Sequence, residues 1–236
     1  MLTTKKGNIF TTQCQTIVNT INCVGVMGAG IAFEFKLRTP EMFETYKKHC
    51  KNKSISIGKL WLYKLSDNTK TTGYSQILNF PTKHHWKYPS KLDYLEQGLE
   101  NFVNTYQKRG ITSIAFPLLG ADKGGIPAEQ SQQLMQHYLQ KCQIPVEIWQ
   151  FDPTAQDDLY EQFKQLLLNM SDEQLKTEAK LRIDAINKIK LGLQQPNINS
   201  LSGLLRCKGI GEVTLRKSFQ LLARQKQTPQ KQLKLI

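Results

Sequence analysis

Residues 18–36, VNTINCVGVMGAGIAFEFK, set Asn19, Asn22, Gly25, Gly28 and Gly30 between an apolar run and a stretch with the spacing of an amphipathic helix. A short buried strand that turns through glycines directly into a helix commits this part of the chain to an α/β arrangement. Glycines let the backbone approach a diphosphate closely. The helix that follows offers unpaired N–H groups and the positive end of its dipole. The segment therefore points to a nucleotide site, although Gly28, Ala29 and Gly30 taken alone would also suit an ordinary glycine-containing loop.

The same alternation runs onward. Strands are predicted over 15–20, 59–64, 74–80, 113–118 and 146–151, and helices over 31–49, 91–109 and 127–141. Asp152 and Pro153 then break the pattern, and 157–170 and 173–191 read as helices with no further strand. The expected organisation is a domain over 1–153 and a helical basic extension over 154–236. A chain of 236 residues with 39% hydrophobic content is long and apolar enough for a real core.

Composition narrows the function classes. The net charge of +13 is unevenly spread: residues 201–236 hold eight basic groups against one acidic, as large an excess as the whole of 1–153. That tail is suited to a polyanion, or is a solvated basic terminus. Five scattered cysteines without a CxxC pair read as reduced thiols, and no metal site is expected. No signal-peptide pattern and no apolar run of membrane-spanning length is present, so a cytoplasmic address without membrane contact is expected.

Two further loops carry chemistry. Residues 116–127, FPLLGADKGGIP, again join a strand to a helix, and Gly120, Gly124 and Gly125 can present amides to phosphate or ribose or simply form a tight turn. Asp122 could act as acid, base or ribose acceptor, or be a solvated charge beside Lys123. Parallel sheets bind ligands beyond the strand carboxyl ends, so this loop and the first could face one another across a crevice. Residues 79–91, NFPTKHHWKYPSK, gather Lys83, His84, His85, Trp86, Lys87 and Tyr88 after a strand. Such a set suits anion binding, base stacking or lysine chemistry. Once deprotonated, a lysine can attack a sugar anomeric carbon, and the same lysine could simply bind phosphate.

GNIF, VNTINCVGVMGAGIAFEFK, NFPTKHHW and PLLGADKGG occur in the order and spacing of a macrodomain. Over 1–153 the chain resembles the DarG-type antitoxin macrodomains and the wider group that contains the terminal ADP-ribose glycohydrolase. The resemblance implies a three-layer α/β/α fold with a mixed central sheet, and ADP-ribose as ligand and product with no cofactor. It implies that Asn8 and Ile9 lie near adenine, where the broader family often has an aspartate in place of the asparagine. Asn22 is implied at the distal ribose, Gly28, Ala29 and Gly30 at the diphosphate, and Leu119, Gly120, Ala121, Asp122, Lys123, Gly124 and Gly125 across from them. Lys83 matches the family's catalytic lysine, acting on the distal ribose C1 while Asn22 helps hold the sugar.

One position departs from the glycohydrolase subgroup. Its second-loop acid falls nearest Gly124 here, and Asp122 stands two residues earlier. DarG-type sequences also lack that acid. The resemblance thus favours an ADP-ribosyl glycohydrolase acting on modified DNA bases, in particular thymidine, over a hydrolase of protein-linked ADP-ribose or a noncatalytic reader. It further implies ADP-ribosylated DNA and a DNA ADP-ribosyltransferase toxin as partners, with antitoxin and DNA-repair roles.

The tail offers an independent clue. Residues 201–219, LSGLLRCKGIGEVTLRKSF, resemble half of a helix-hairpin-helix DNA-binding motif without the usual proline beside the first glycine. Amides at Gly209 and Gly211 would meet a backbone phosphate, with Lys208, Arg216 and Lys217 attracting it. An ordinary helical hairpin is the alternative.

Overall fold

The computed structural model describes residues 1–66, 73–155, 157, 159–201 and 203–227. The chain forms two compact units, Met1–Ala155 and Gln156–Ile236.

The first unit is built on six strands: β1 (Leu2–Gly7), β2 (Thr16–Asn22), β3 (Trp61–Lys64), β4 (Gln76–Lys83), β5 (Ile114–Pro117) and β6 (Val146–Phe151). Their order in the sheet is β1-β6-β5-β2-β4-β3, parallel throughout except for β3 on β4. Side-chain alternation sends successive residues to opposite faces. On one face Ile17, Ile21, Ile77, Ala115 and Trp149 pack with Ala32, Phe35, Met42 and Tyr46 of α1 (Gly30–Arg38) and α2 (Pro40–Lys51). On the other, Val18, Leu78, Phe80, Ile114, Phe116 and Ile148 pack with α3 (Leu92–Thr105) and α4 (Ala128–Leu139) through Leu95, Leu99, Phe102, Met135 and Leu139. The three-layer α/β/α architecture with a mixed sheet is therefore present.

Several boundaries differ from the sequence reading. Residues 31–49 form two helices, because Pro40 lacks an N–H and pushes Thr39 out of the helical region, to φ −137° and ψ 69°. β1 is an edge strand that the sequence does not announce. LTTKKG has no apolar alternation, and it becomes a strand only by pairing with β6, Leu2 opposite Val146 through Gly7 opposite Phe151. β4 continues through Pro81 to Lys83 instead of ending at Phe80. A register shift lets this happen: Ile21 pairs with Pro81 and Asn22 with Lys83, which leaves Thr82 as the extra residue.

The second unit holds α5 (Tyr160–Asn169), α6 (Asp172–Glu178), α7 (Ile183–Leu193), a 3-10 turn (Gly203–Arg206) and α8 (Glu212–Gln227). Residues 173–191 are again two helices instead of one. A capping box at Ser171 and Gln174 starts α6, and Lys180 at φ 52° breaks the chain direction before α7. Phe163, Leu167, Leu175, Ile186, Ile189, Leu193 and Leu204 form its buried interior.

Candidate active site

β2 is the topological switch point: from it the chain crosses to β4 on one side and returns to β5 on the other. The segments after these three parallel strands therefore share one edge, which is where open α/β sheets bind ligands. The three motifs singled out in the sequence meet here.

The first segment is shaped by Asn22. Its Oδ1 accepts from the Val24 and Val26 amides at 3.0 and 3.3 Å, and its Nδ2 donates to the Val26 carbonyl at 2.5 Å. From α2, the buried Tyr46 hydroxyl donates to the Asn22 carbonyl at 2.6 Å and lies 3.0 Å from Oδ1. Burial raises the Tyr46 pKa well above its ordinary value, so the hydroxyl remains a donor. Asn22 is thus a loop-shaping residue before it can be a sugar contact. The loop delivers the chain to α1 at Gly30, whose φ of 56° lies in the left-handed region that favours glycine. Ala29 caps α1 with no side-chain hydrogen bond, so the first-turn amides have no side-chain acceptor at that position.

Lys83 ends β4 level with Asn22. The Cys23 amide donates to the His84 carbonyl at 3.1 Å, tying the first loop to the turn after β4. The Lys83 ammonium donates to the Lys123 carbonyl of the third segment. Burial lowers the pKa of Lys83 from its ordinary value, and the Asp122 carboxylate works against that by favouring the charged form. An amine made easier to deprotonate, between two glycine-containing segments, can serve as nucleophile or as electrostatic partner of a reacting sugar.

The third segment folds back on itself. The Ile126 amide donates to the Gly120 carbonyl at 3.0 Å, and the Ser131 hydroxyl of α4 donates to the buried Leu119 carbonyl at 2.6 Å. Gly124 passes so close that a Cβ there would sit 2.1 Å from the Gly120 oxygen, so only glycine closes this turn. Ala121 is half-buried in the turn, and the Gly124 carbonyl accepts from the Ser90 amide at 2.9 Å. Gly125 follows at φ 79°. The Asp122 and Lys123 side chains are exposed and lie 3.5 Å apart.

At the far end of the same edge, Asn8 follows β1 and its Oδ1 accepts from the Phe10 amide at 3.0 Å, starting a 3-10 turn (Ile9–Thr11) in which Ile9 is buried. Glu147 anchors that turn by accepting from Thr12 Oγ1 at 2.7 Å and from Trp149 Nε1 at 2.8 Å. Phe151 ends β6 opposite Gly7 and is 64% exposed, an aromatic residue on which a flat heterocycle can stack. Sequence reasoning missed Phe151 and Tyr46. The first resembles an ordinary strand residue and the second an ordinary helix residue, and neither adjoins a glycine motif.

In the second unit the hairpin sits between the 3-10 turn and α8, so the helix that should precede it is only a single 3-10 turn. Gly209, at φ 84°, and Gly211 are exposed, as are Lys208 and Arg216. Lys217 instead donates to the Lys180 carbonyl at 2.8 Å, which places its amine against the end of α6. Among the described residues no helix is long and apolar enough to cross a membrane, and no three His, Cys, Asp or Glu side chains converge as a metal site.

A model of the Macro domain family matches residues 18–135, half of the chain. The DNA ADP-ribosyl glycohydrolase of Mycobacterium tuberculosis is 43% identical over 133 residues, 56% of this chain and 37% of that protein. A DNA ADP-ribosyl transferase-DNA ADP-ribosyl glycohydrolase fusion protein of Thermosipho africanus is 37% identical over 159 residues, 61% of this chain and 40% of the fusion. Among solved structures, the macrodomain of Mycobacterium tuberculosis DarG superposes with a TM-score of 0.58 at 39% identity, covering 63% of this chain and 97% of that one. Thermosipho africanus DarTG in complex with ADP-ribose gives a TM-score of 0.58 at 35% identity, covering 63% of this chain and 41% of that one. The chain spans between 37% and 41% of the length of the curated relatives it matches.

Proposed function

This chain belongs to the macro domain family, and we propose that its first unit is an ADP-ribosyl glycohydrolase that removes ADP-ribose from modified DNA bases, thymidine foremost. The observation that carries the reading is Lys83, held at the end of β4 level with Asn22, with burial favouring its neutral form, beside a glycine loop that enters α1 without a side-chain cap. In the proposed complex the diphosphate lies on Gly28, Ala29 and Gly30 at the start of α1. The second glycine segment, Leu119, Gly120 and Gly125 included, closes over the distal ribose. Adenine lies by Asn8 and Ile9 against the Phe151 ring. Lys83 acts at the distal ribose C1, where the oxygen of a water forms the new bond as the bond to the base breaks, and the proton that water gives up goes to the leaving base. No step draws on a metal.

Lysine chemistry of this kind does not need a second-loop acid, which suits a chain with Gly124 where one would stand. The names of the relatives support DNA as the substrate. The transferase half of the Thermosipho fusion supports the proposal that this chain counters a DNA ADP-ribosyltransferase toxin, as a cytoplasmic antitoxin that repairs the modified base. The second unit, with exposed amides at Gly209 and Gly211 and with Lys208 and Arg216 beside them, is proposed to hold duplex or single-stranded DNA by its backbone and so raise the local substrate concentration.

The test compares the wild type with Lys83→Ala on DNA bearing ADP-ribosylated thymidine, with released ADP-ribose and restored base quantified by mass spectrometry. The variant is expected to lose turnover while keeping most of its ADP-ribose affinity. Unchanged turnover in the variant would remove Lys83 from the reaction. ADP-ribose binding without any wild-type release would point to a reader, or to a protein-linked substrate if modified glutamate is cleaved instead.

A further inference from the structure

The first unit keeps few large apolar side chains in solvent, and they are not scattered. Apart from Met1, the exposed ones among the described residues are Val24, Val26, Trp86, Tyr88, Leu92 and Phe151. Val24, Val26, Trp86 and Tyr88 lie just past the carboxyl ends of β2 and β4, Phe151 ends β6, and Leu92 opens α3 after the β4 turn, so the set gathers at the edge that carries the site. Isolated exposed hydrophobics need no explanation, but a set confined to the rim of a ligand cleft does.

Trp86 and Tyr88 are the largest of the group beside Lys83, at 48% and 66% exposure. They stand in a turn fixed by the Tyr88 amide donating to the His85 carbonyl at 3.2 Å. The Lys87 amide donates to His85 Nδ1 at 3.2 Å, which orients the imidazole. That ring lies between the two others, nearly parallel to Trp86 at 5.8 Å and tilted toward Tyr88 at 5.5 Å. The Lys87 ammonium is held 5.3 Å over the indole. Three rings and a cation are thus already arranged before any ligand arrives. From Lys83 to Lys91 the chain carries three lysines and no carboxylate. The turn is tied to the site on both sides, through Cys23 to His84 and through Ser90 to Gly124.

Exposed rings interleaved with cations are the means by which single-stranded nucleic acid is held without regard to sequence, since every base has a π face and every step a phosphate. An acidic peptide would use the positive charge, but it would bring no succession of base faces to match the row of rings. We infer that the His85, Trp86, Lys87 and Tyr88 turn is a stacking platform for the DNA nucleotides that flank the modified base, holding the strand while Lys83 acts on the sugar. The inference rests on the DNA glycohydrolase reading above and deepens it, by assigning the choice of a DNA strand over a free nucleoside to this turn.

Both rings are exposed, so Trp86→Ala and Tyr88→Ala leave the core intact. Steady-state kinetics on a short single-stranded oligonucleotide bearing ADP-ribosylated thymidine should show KM raised about tenfold in each variant with kcat nearly unchanged, the loss of one stacked base. ADP-ribosylated thymidine nucleoside should be cleaved as by the wild type, and Trp86→Phe should restore most of the oligonucleotide KM. An unchanged oligonucleotide KM, or an equal loss on nucleoside and oligonucleotide, overturns the platform. So does an equal rise in KM for an ADP-ribosylated peptide, which would make the turn a general contact. If the wild type cleaves neither DNA substrate, the hydrolase reading fails by itself. The platform is then decided by photo-crosslinking to an oligonucleotide containing a halogenated uracil: adducts on Trp86 or Tyr88 support it, and adducts only elsewhere overturn it.

Discussion

Replacing Tyr46 by phenylalanine isolates one hydrogen-bonding group that links a helix to the ligand loop. Tyr46 is fully buried on α2, and the change removes its hydroxyl while keeping its ring in the core. What is lost is the donor to the Asn22 carbonyl at 2.6 Å and its companion contact to Oδ1 at 3.0 Å, together with the hydroxyl's hydrogen bonds to the Gly25 backbone and the Cys50 side chain. A buried acceptor left without its donor costs about 1–3 kcal/mol. Oδ1 keeps the Val24 and Val26 amides, so of the two Asn22 oxygens the carbonyl alone is left short and the loss falls in the lower part of that range, about 1–1.5 kcal/mol. Tenfold in binding corresponds to about 1.4 kcal/mol, so if the loop takes the whole loss the Kd for ADP-ribose rises about five- to twelvefold. The melting temperature should fall by about 2–6 °C for a protein of this size. Isothermal calorimetry with ADP-ribose and a thermal melt measure the two effects on one preparation. A lowered melting temperature with an unchanged Kd would refute the reasoning, because Tyr46 would then stabilise the fold without shaping the loop.

Asp122→Asn tests the electrostatics of Lys83. The carboxylate favours the ammonium and so raises the pKa that burial lowers. Its removal lets the pKa fall, so more free amine exists at any pH below it and the rising limb of the kcat profile moves to lower pH. Because Asp122 is exposed, the displacement should shrink with added salt, and a pH–rate series at two ionic strengths would expose an unmoved limb. Gly98→Ala should weaken the first unit despite the better helix propensity of alanine, since a Cβ on α3 would lie 2.2 Å from the ring of the buried Phe80. Overpacking of this kind costs about 1–3 kcal/mol, and a melting temperature equal to or above that of the wild type would show that the ring yields freely.

The legible parts of this protein are those in which neighbouring residues carry the whole instruction. Residues 18–36 announce a buried strand, a glycine turn and a helix, because apolar spacing and glycine act over a few positions. Apart from β1 and the division of α1 from α2, the strand and helix order of the first unit follows from the same local patterns. So do the two glycine segments and the lysine after β4, which together mark the family and the edge where its ligand belongs.

Tertiary structure decided what depends on partners far along the chain. β1 exists only because β6, more than 140 residues away, offers it an edge. The extra residue Thr82 is defined only against β2, yet it sets Lys83 level with Asn22. The family resemblance implies Asn22 at the distal ribose, and only the folded chain shows it bracing its own loop, with α2 bringing the Tyr46 hydroxyl over 24 positions to meet it. Phe151 looks like a core residue by type, and only the folded sheet leaves it in solvent at the rim of the site. Side-chain pattern fixes which elements form, because it acts within a turn or a strand. Register, burial and the partner of each polar group are properties of surfaces meeting across the chain, and they come into being only when those surfaces pack.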